Sequence, residues 1–244
     1  MNVLIVHAHP EPRSFCAAMK DLAVTTLTGD GHRLRVSDLH AKRFNPVAGA
    51  GDFGERTDPD YLVYALEQRG NHAKGTLAPD IREELELLAW ADLLILNFPL
   101  YWFSVPAILK GWFDRVLVSG YAYGGKRFYD RGGLAGKKAM AAFTLGGRAH
   151  MFGPDAIHGE IETMLRPILR GTLWYTGMAV LPPFAAYHVP YVGHEDRVAC
   201  LRRYADHLRS LDGLRPLEFP RLEQFDDRLY PKIPAARIPA PTVR

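Results

Sequence analysis

The sequence has little cysteine, no long apolar run and almost no charge imbalance. Two cysteines, Cys16 and Cys200, occur in 244 residues, and their wide separation argues against a disulfide framework or a cysteine-based metal site. No stretch approaches the roughly 20 apolar residues that cross a bilayer, and the first strand begins without a basic leader or a cleavage site. The net charge of +3 is too small to indicate a nucleic acid or an anionic membrane as a partner. These absences predict a cytoplasmic protein without an integral membrane segment, a metal site or a nucleic-acid partner.

Two motifs for binding nucleotide phosphates are missing as well. The loop after the first apolar run lacks the G-x-G-x-x-G spacing of a Rossmann fold, and the chain has no G-x-x-x-x-G-K-S/T sequence. Nucleoside triphosphate chemistry is therefore disfavoured.

The apolar runs that are present predict an α/β fold. Short, nearly continuous apolar runs are typical of buried parallel strands, and a weaker, alternating run is typical of an edge strand. The buried strands are predicted at residues 3–6, 93–98, 139–143 and 178–181, and the edge strand at residues 33–37. The length and the 48% hydrophobic content suit a single globular domain.

Helical patterns alternate with these strands. Ser14 can cap a first helix, and Pro79 and Pro106 stand where further helices begin. Two more helices are predicted at about residues 159–172, with Pro167 as an interruption, and at residues 195–211. The alternation predicts a flavodoxin-like, doubly wound sheet of five parallel strands with helices on both faces. In that topology the ligand binds at the switch between the first and third strands.

The end of the chain has a different composition from the rest. Residues 1–212 are predicted to form one domain. After Gly213 the chain becomes rich in proline and loses its periodicity, so residues 213–244 are predicted to be an extended arm or tail. A flexible tail and an arm that wraps a partner are both open alternatives.

The loop after the first strand has the properties of an anion site. Backbone N–H groups and a helix N-terminus face the strand end there, and His9, Arg13 and Ser14 can add side-chain donors. The Ser14 hydroxyl can cap the helix, contact a phosphate, or do both. His7 lies inside the strand and is expected to be a buried structural histidine.

Aromatic residues follow the third strand at the same end of the sheet. Tyr101, Trp102 and Phe103 are consecutive, so they cannot all point into the core, and a flat, conjugated ligand is indicated. The Gly146-Gly147 pair after the fourth strand lets backbone amides approach such a ligand closely, although a simple turn is the alternative. His158 can stabilise negative charge or move a proton near neutral pH, although most single histidines are structural. Together with the anion site, these features favour a flavin.

The chain resembles the NAD(P)H:quinone oxidoreductase (DT-diaphorase) family of flavodoxin-like flavoproteins, over about residues 2–211. The segment F-P-L-Y-W-F-S-V-P-A-I-L-K-G-W-F at residues 98–113 is the most specific match. The other matching segments are V-L-I-V-H-A-H at 3–9, S-F at 14–15, S-D-L at 37–39, F-N-P at 44–46, L-A-P-D-I at 77–81, G-Y-A-Y at 120–123, G-G at 146–147 and I-H-G at 157–159.

The resemblance implies an NAD(P)H dehydrogenase (quinone), a homodimeric flavoprotein oxidoreductase. Its expected cofactor is FAD, with FMN as the alternative found in shorter relatives. NAD(P)H and a quinone would use one slot in turn, with ping-pong hydride transfer through the flavin. The implied cofactor-binding residues are His9, Ser14, Phe15, Cys16, Pro99, Leu100, Tyr101, Trp102, Phe103, Thr144, Leu145, Gly146, Gly147, Arg197 and Leu201. The implied catalytic groups are His158, Gly146 and Gly147, and the implied substrate-binding residues are Trp102, Phe103, Met151, Phe152 and His158, with Tyr123 and Phe128 from the other subunit.

Two departures from the family pattern concern the substrate pocket. Phe152 stands where the best-known members have a tyrosine, and phenylalanine cannot donate a hydrogen bond. Gly125 stands where relatives place a second tyrosine, which implies a wider pocket mouth. Substrate range is thus less well defined by the sequence than reaction type.

Two other functions are compatible with the same fold. One is an ancillary, flavin-binding subunit of a potassium efflux transporter with incidental reductase activity. The other is a flavodoxin-like electron carrier, which the mildly basic charge and the aromatic substrate pocket disfavour.

Overall fold

A parallel sheet organises residues 1–232, the part of the chain that the computed structural model describes. The strand order is β2-β1-β3-β4-β5, and β6 also pairs with β4. This order confirms the predicted flavodoxin-like fold class, and the weakly apolar β2 lies at an edge. The strands are β1 (Asn2–His7), β2 (Arg33–Asp38), β3 (Leu93–Pro99), β4 (Lys138–Thr144), β5 (Ala179–Val180) and β6 (Phe184–Ala186).

The helices begin where the sequence provides start signals. Ser14 caps the first helix, and its Oγ accepts a hydrogen bond from the Ala17 amide at 3.1 Å. Pro79 is the first residue of the third helix, where its missing N–H is harmless. The helices are α1 (Phe15–Gly29), α2 (Tyr64–Lys74), α3 (Pro79–Trp90), α4 (Ala107–Val116), α5 (Ile161–Met164), α6 (Arg166–Ile168) and α7 (His194–Arg209).

Alternate residues of the strands build two separate cores. Val3 and Ile5 of β1 pack on the side of α1 and α7, whereas Leu4 and Val6 pack on the side of α3 and α4. This alternation follows from the two-residue period of a strand. It explains why each central strand is apolar along its whole length, since both of its faces are covered.

Helix α2 has no counterpart in the sequence prediction. Its buried residues are Glu67, Gln68 and Asn71, so its inward face is polar and lacks the apolar stripe that indicates a helix. The Glu67 carboxylate accepts hydrogen bonds from the amides of Thr57 and Asp58. The inward face of α2 therefore packs on the loop at Thr57 and Asp58 through hydrogen bonds and not through apolar contacts.

The prediction of a single fifth strand at residues 178–181 is wrong in its extent. Two short strands, β5 and β6, pair with β4 at different heights, through Val180 with Ala139 and Ala185 with Phe143. Pro182 and Pro183 lie between them. Proline has no N–H to donate to a neighbouring strand, so the ladder is interrupted at this point.

The predicted helix at residues 159–172 is also divided. It consists of α5, α6 and a π-helix at Leu169–Trp174. Pro167 lies within α6 and cannot donate a helical hydrogen bond, which accounts for the break. The wider π turn carries the chain to Tyr175, whose carbonyl accepts a hydrogen bond from the Tyr129 amide at 2.8 Å.

The described part of the C-terminal arm, residues 213–232, packs along the domain. The Leu217 amide donates to the Val180 carbonyl at 2.8 Å, and the Phe219 ring lies 5.9 Å from that of Trp174. Further along, the Leu222 amide donates to Asp130 Oδ1 at 3.0 Å. The rest of the predicted arm, residues 233–244, lies outside the described residues.

Candidate active site

A cleft of about 420 Å³ opens at the carboxyl end of the sheet. The loops after β1, β3, β4 and β6 form its walls, at the switch between β1 and β3 where the topology predicts a ligand. The predicted residues that line it are His9, Ser14, Phe15, Cys16, Pro99, Leu100, Tyr101, Thr144, Leu145, Gly146 and Arg197. Arg13, Val189 and Pro190 also line it.

One end of the cleft has groups that favour an anion. It lies at the N-terminus of α1, beside the exposed Arg13 and next to Arg197 of α7. His9 Nδ1 accepts a hydrogen bond from the Glu11 amide at 3.0 Å, so the neutral ring carries its hydrogen on Nε2, where it can donate to a ligand. Burial lowers the pKa of His9, which favours this neutral form at neutral pH.

A buried polar group underlies this end of the cleft. Asn97 Oδ1 accepts a hydrogen bond from Cys16 Sγ at 3.3 Å and is also bonded to His7 Nδ1. Burial raises the pKa of the Cys16 thiol to about 12, so it remains protonated and serves as a donor. His7 is buried, as expected for a structural residue. Asn97 was not singled out in the sequence because an amide within an apolar strand carries no motif.

The aromatic end of the cleft is a tight turn. Tyr101 and Ser104 exchange two backbone hydrogen bonds of 3.0 and 2.9 Å, which places Trp102 and Phe103 at the tip. Both tip residues have left-handed backbone angles, with φ of 51° and 57°. The Trp102 side chain is 96% exposed. Such angles are unfavourable for bulky residues, and strain of this kind concentrates at functional sites.

The Gly146-Gly147 segment is hydrogen-bonded to residues 188–189, which follow β6. The Gly146 carbonyl accepts from His188 Nδ1 at 2.9 Å, and the Gly147 carbonyl accepts from the His188 amide at 2.9 Å. The Leu145 carbonyl accepts from the Val189 amide at 3.1 Å. Sequence reasoning missed His188, since nothing in the chain's linear order connects it with the glycines.

His158 lies in an aromatic cluster beside the tip of the turn. Its ring centroid is 5.3 Å from that of Phe103 and 5.0 Å from that of Phe152. The His158 amide donates to the Met151 carbonyl at 3.0 Å. The structure thus brings three of the predicted substrate-binding residues, Phe103, Met151 and Phe152, around the half-buried His158.

Tyr123 and Phe128 lie elsewhere in the chain. Tyr123 lines a second cavity of about 430 Å³ together with Tyr175, and the Phe128 ring stacks on that of Tyr175 with centroids 6.0 Å apart. Leu201 lies outside the cleft too, in an adjoining groove of about 370 Å³ between α1 and α7. Tyr175 was not predicted in the sequence, because it reaches Phe128 and Tyr129 only from its position at the end of the π-helix.

Comparison with known proteins identifies the family. Residues 1–208 match the family described as flavodoxin-like fold. The chain is 42% identical over 217 residues to ribosyldihydronicotinamide dehydrogenase (quinone) of Mus musculus, covering 88% of this chain and 94% of that protein. It is 41% identical over 226 residues to NAD(P)H dehydrogenase (quinone) 1 of Rattus norvegicus, covering 92% and 82%. The chain belongs to the NAD(P)H:quinone oxidoreductase family.

Solved structures agree with this family assignment. A candidate quinone reductase from Klebsiella pneumoniae is 37% identical, with a TM-score of 0.91 and coverage of 95% of this chain and 94% of that one. General stress protein 14 of Treponema denticola, solved in complex with FMN, is 26% identical with a TM-score of 0.61, covering 87% and 99%. The predicted family, fold and oxidoreductase class are confirmed, and the expected flavin agrees with the FMN-bound relative.

None of the helices within residues 1–232 is long and apolar enough to cross a membrane. Within the same range, no three or more His, Cys, Asp or Glu side chains are grouped so that they could hold a metal ion.

Proposed function

We propose that the protein is a flavin-dependent reductase that passes two electrons from NAD(P)H to quinones in a ping-pong cycle. The observation that carries this proposal is that one cleft is lined by the N-terminus of α1, by Tyr101 at the start of the aromatic turn and by Gly146 of the glycine pair. They match the phosphate, the flat ring and the polar ring edge of a flavin. The bound flavin would supply the hydride chemistry, and the chain would orient its ring and exclude water.

The free backbone amides fit a ring of this kind. The amides of Trp102, Phe103, Gly146 and Gly147 donate to no acceptor within the described residues. N–H groups that are already in place suit the oxygen and nitrogen acceptors of an isoalloxazine, and they stabilise negative charge on it when it is reduced. We assign Gly146 and Gly147 this role, with His158 as the neighbouring group that holds charge or a proton.

FAD is favoured over FMN by the groove between α1 and α7. It is lined by Leu22, Val198 and Leu201, and Arg197, four residues before Leu201, lines the cleft itself. An adenosine placed there would extend a pyrophosphate bound at Ser14. Cofactor released from the purified protein should be FAD by chromatography, and Leu201→Glu should weaken FAD binding while leaving FMN binding unchanged. Release of FMN alone would contradict the assignment.

The substrate slot would be completed by a second copy of the chain. Trp102, Phe103, Met151 and Phe152 supply one wall beside His158, while Tyr123 and Phe128 do not reach their own cleft. Exposed apolar side chains at Tyr61, Leu62 and Leu66 suit a protein interface. Light scattering of the purified protein should give the mass of a dimer, and a monomer would contradict this arrangement.

Two broader features belong to the same proposal. Residues 1–212 would form the catalytic domain, with residues 213–244 as an arm; its described part contacts Asp130, two residues beyond Phe128. A cytoplasmic location is supported by the two cysteines, both of which are free thiols.

The decisive experiment is an anaerobic absorption titration of the purified protein. Flavin bands that bleach with NADPH and return with menadione would support the reductase, and parallel double-reciprocal lines would support the shared slot. Flavin that binds but barely bleaches would favour the ancillary subunit of a transporter. An absence of flavin, even after reconstitution with FAD, would overturn the proposal.

A further inference from the structure

We propose that His188 is a positioning residue that aims the amides of Gly146 and Gly147 at the ligand. This inference rests on the proposed function, since it assigns those amides to a flavin. It concerns residues after β6 that no motif of the chain identifies.

The carbonyls of Leu145, Gly146 and Gly147 all accept hydrogen bonds from residues 188–189. His188 binds two successive carbonyls, that of Gly146 through Nδ1 and that of Gly147 through its amide, and the Val189 amide binds that of Leu145. A carbonyl can only accept, so Nδ1 of His188 carries the hydrogen. One residue therefore holds two adjacent peptide groups by two different kinds of donor.

The direction of the carbonyls determines the direction of the amides. The described chain contains no cis peptide bond, and in a trans peptide the N–H points opposite to the preceding C=O. Because the carbonyls of Leu145 and Gly146 point at residues 188–189, the amides of Gly146 and Gly147 point away from them. These amides meet no acceptor within residues 1–232, so they are available to a ligand.

The backbone of His188 makes this double contact possible. Its φ is 58°, in the left-handed region, where few non-glycine residues occur and where asparagine and histidine are enriched. That conformation turns both the amide and the side chain of His188 toward the glycines. The His188 ring is packed at 5.0 Å from the Tyr191 ring, and the Tyr191 amide donates to the His188 carbonyl at 3.0 Å.

Three variants separate the side chain from the backbone turn. His188→Gly keeps the left-handed turn but loses the imidazole donor. His188→Asn tolerates the turn and offers an amide donor in place of Nδ1–H. His188→Ala loses both features. His194→Ala changes an exposed histidine six residues away and serves as the matched control.

The first readout needs no cofactor. Hydrogen exchange of the peptide that spans residues 184–192 should be about tenfold faster in His188→Ala apoprotein, intermediate in His188→Gly, and close to wild type in His188→Asn and His194→Ala. Equal exchange rates in wild type and His188→Ala would overturn the proposal that His188 positions the glycine backbone. This readout stands even if the protein proves not to be a quinone reductase.

The second readout is the midpoint potential of the bound flavin, equilibrated against a reference dye. Less well aimed amides stabilise the reduced ring less, so His188→Gly should lower the ratio of reduced to oxidised flavin by about tenfold, which is about 30 mV for two electrons. His188→Asn should restore it. A potential unchanged in both His188→Gly and His188→Ala would overturn the positioning role, even where exchange is accelerated.

Discussion

Trp102 and Phe103 share the tip of one two-residue turn, and both have left-handed backbone angles. The turn is closed by paired hydrogen bonds between Tyr101 and Ser104. These bonds fix the two tip residues in their unfavourable backbone angles. Left-handed angles cost about 1–2 kcal/mol per non-glycine residue. Glycine would be less strained at both positions, so the two large aromatic side chains favour a functional role for this turn.

Trp102→Ala should reduce turnover far more than flavin content. The substitution removes a ring that we propose lines the substrate slot, while the groups at Ser14 and Gly146 that we propose bind the cofactor remain. Because Trp102 is 96% exposed, the free energy of unfolding should change by about 0.5 kcal/mol or less. Steady-state kinetics and flavin absorbance measure the two effects, and Tyr230→Ala provides an exposed aromatic control. Complete loss of flavin in Trp102→Ala would show that this residue binds the cofactor.

His158→Gln should slow reduction of the flavin by NAD(P)H, on the order of 100-fold. The ring lies between Phe103 and Phe152, and glutamine retains polarity but cannot hold a proton near neutral pH. Stopped-flow absorbance at the flavin band gives the rate directly. His150→Gln alters an exposed histidine nearby and should leave the rate unchanged. An unaltered rate in His158→Gln would assign His158 a structural role.

Asp52 and Arg115 form a buried ion pair, with 2.7 Å between Oδ1 and Nη2. Burial would raise the pKa of Asp52, but hydrogen bonds from Arg115 and Tyr64 outweigh it, and the pKa lies below its ordinary value. Stability from a lowered carboxyl pKa is present above the unfolded value near pH 4 and is lost as the pH falls through the folded value.

Asp52→Asn should therefore lower the free energy of unfolding by about 3 kcal/mol at neutral pH. It should also flatten the loss of stability below about pH 4. Urea unfolding at neutral and acid pH measures both effects. Asp114→Asn breaks the exposed pair of Asp114 with Lys110 and should cost less than about 1 kcal/mol. Equal acid sensitivity in wild type and Asp52→Asn would contradict this account.

Gly111→Ala should destabilise the fold by about 1–3 kcal/mol. A Cβ at this position would lie 2.2 Å from the Pro46 carbonyl oxygen, so the loop before α2 would have to move away from α4. Gly29→Ala is the matched control, because a Cβ there meets nothing within 4 Å and alanine favours the helix. Thermal unfolding of both variants tests the prediction, which a neutral Gly111→Ala would refute.

Much of the site could be predicted because its residues lie beside strand ends. Ser14, Tyr101 and Gly146 each follow an apolar run closely, and parallel strands bring their carboxyl ends to one edge. The fifth strand and the helix near Pro167 were less predictable. The patterns located these elements, but how a chain accommodates a proline depends on what packs against it.

The sequence alone determined the four longer strands, most of the helices between them, the loop that we propose binds an anion and the aromatic run, because short-range patterns encode these features. Only the tertiary structure decided how distant segments meet. It placed His188 next to the glycine pair and Asn97 next to Cys16. Hydrogen bonds between residues 40 or more positions apart leave no periodic trace in the chain, since each needs only one donor and one acceptor in the right place.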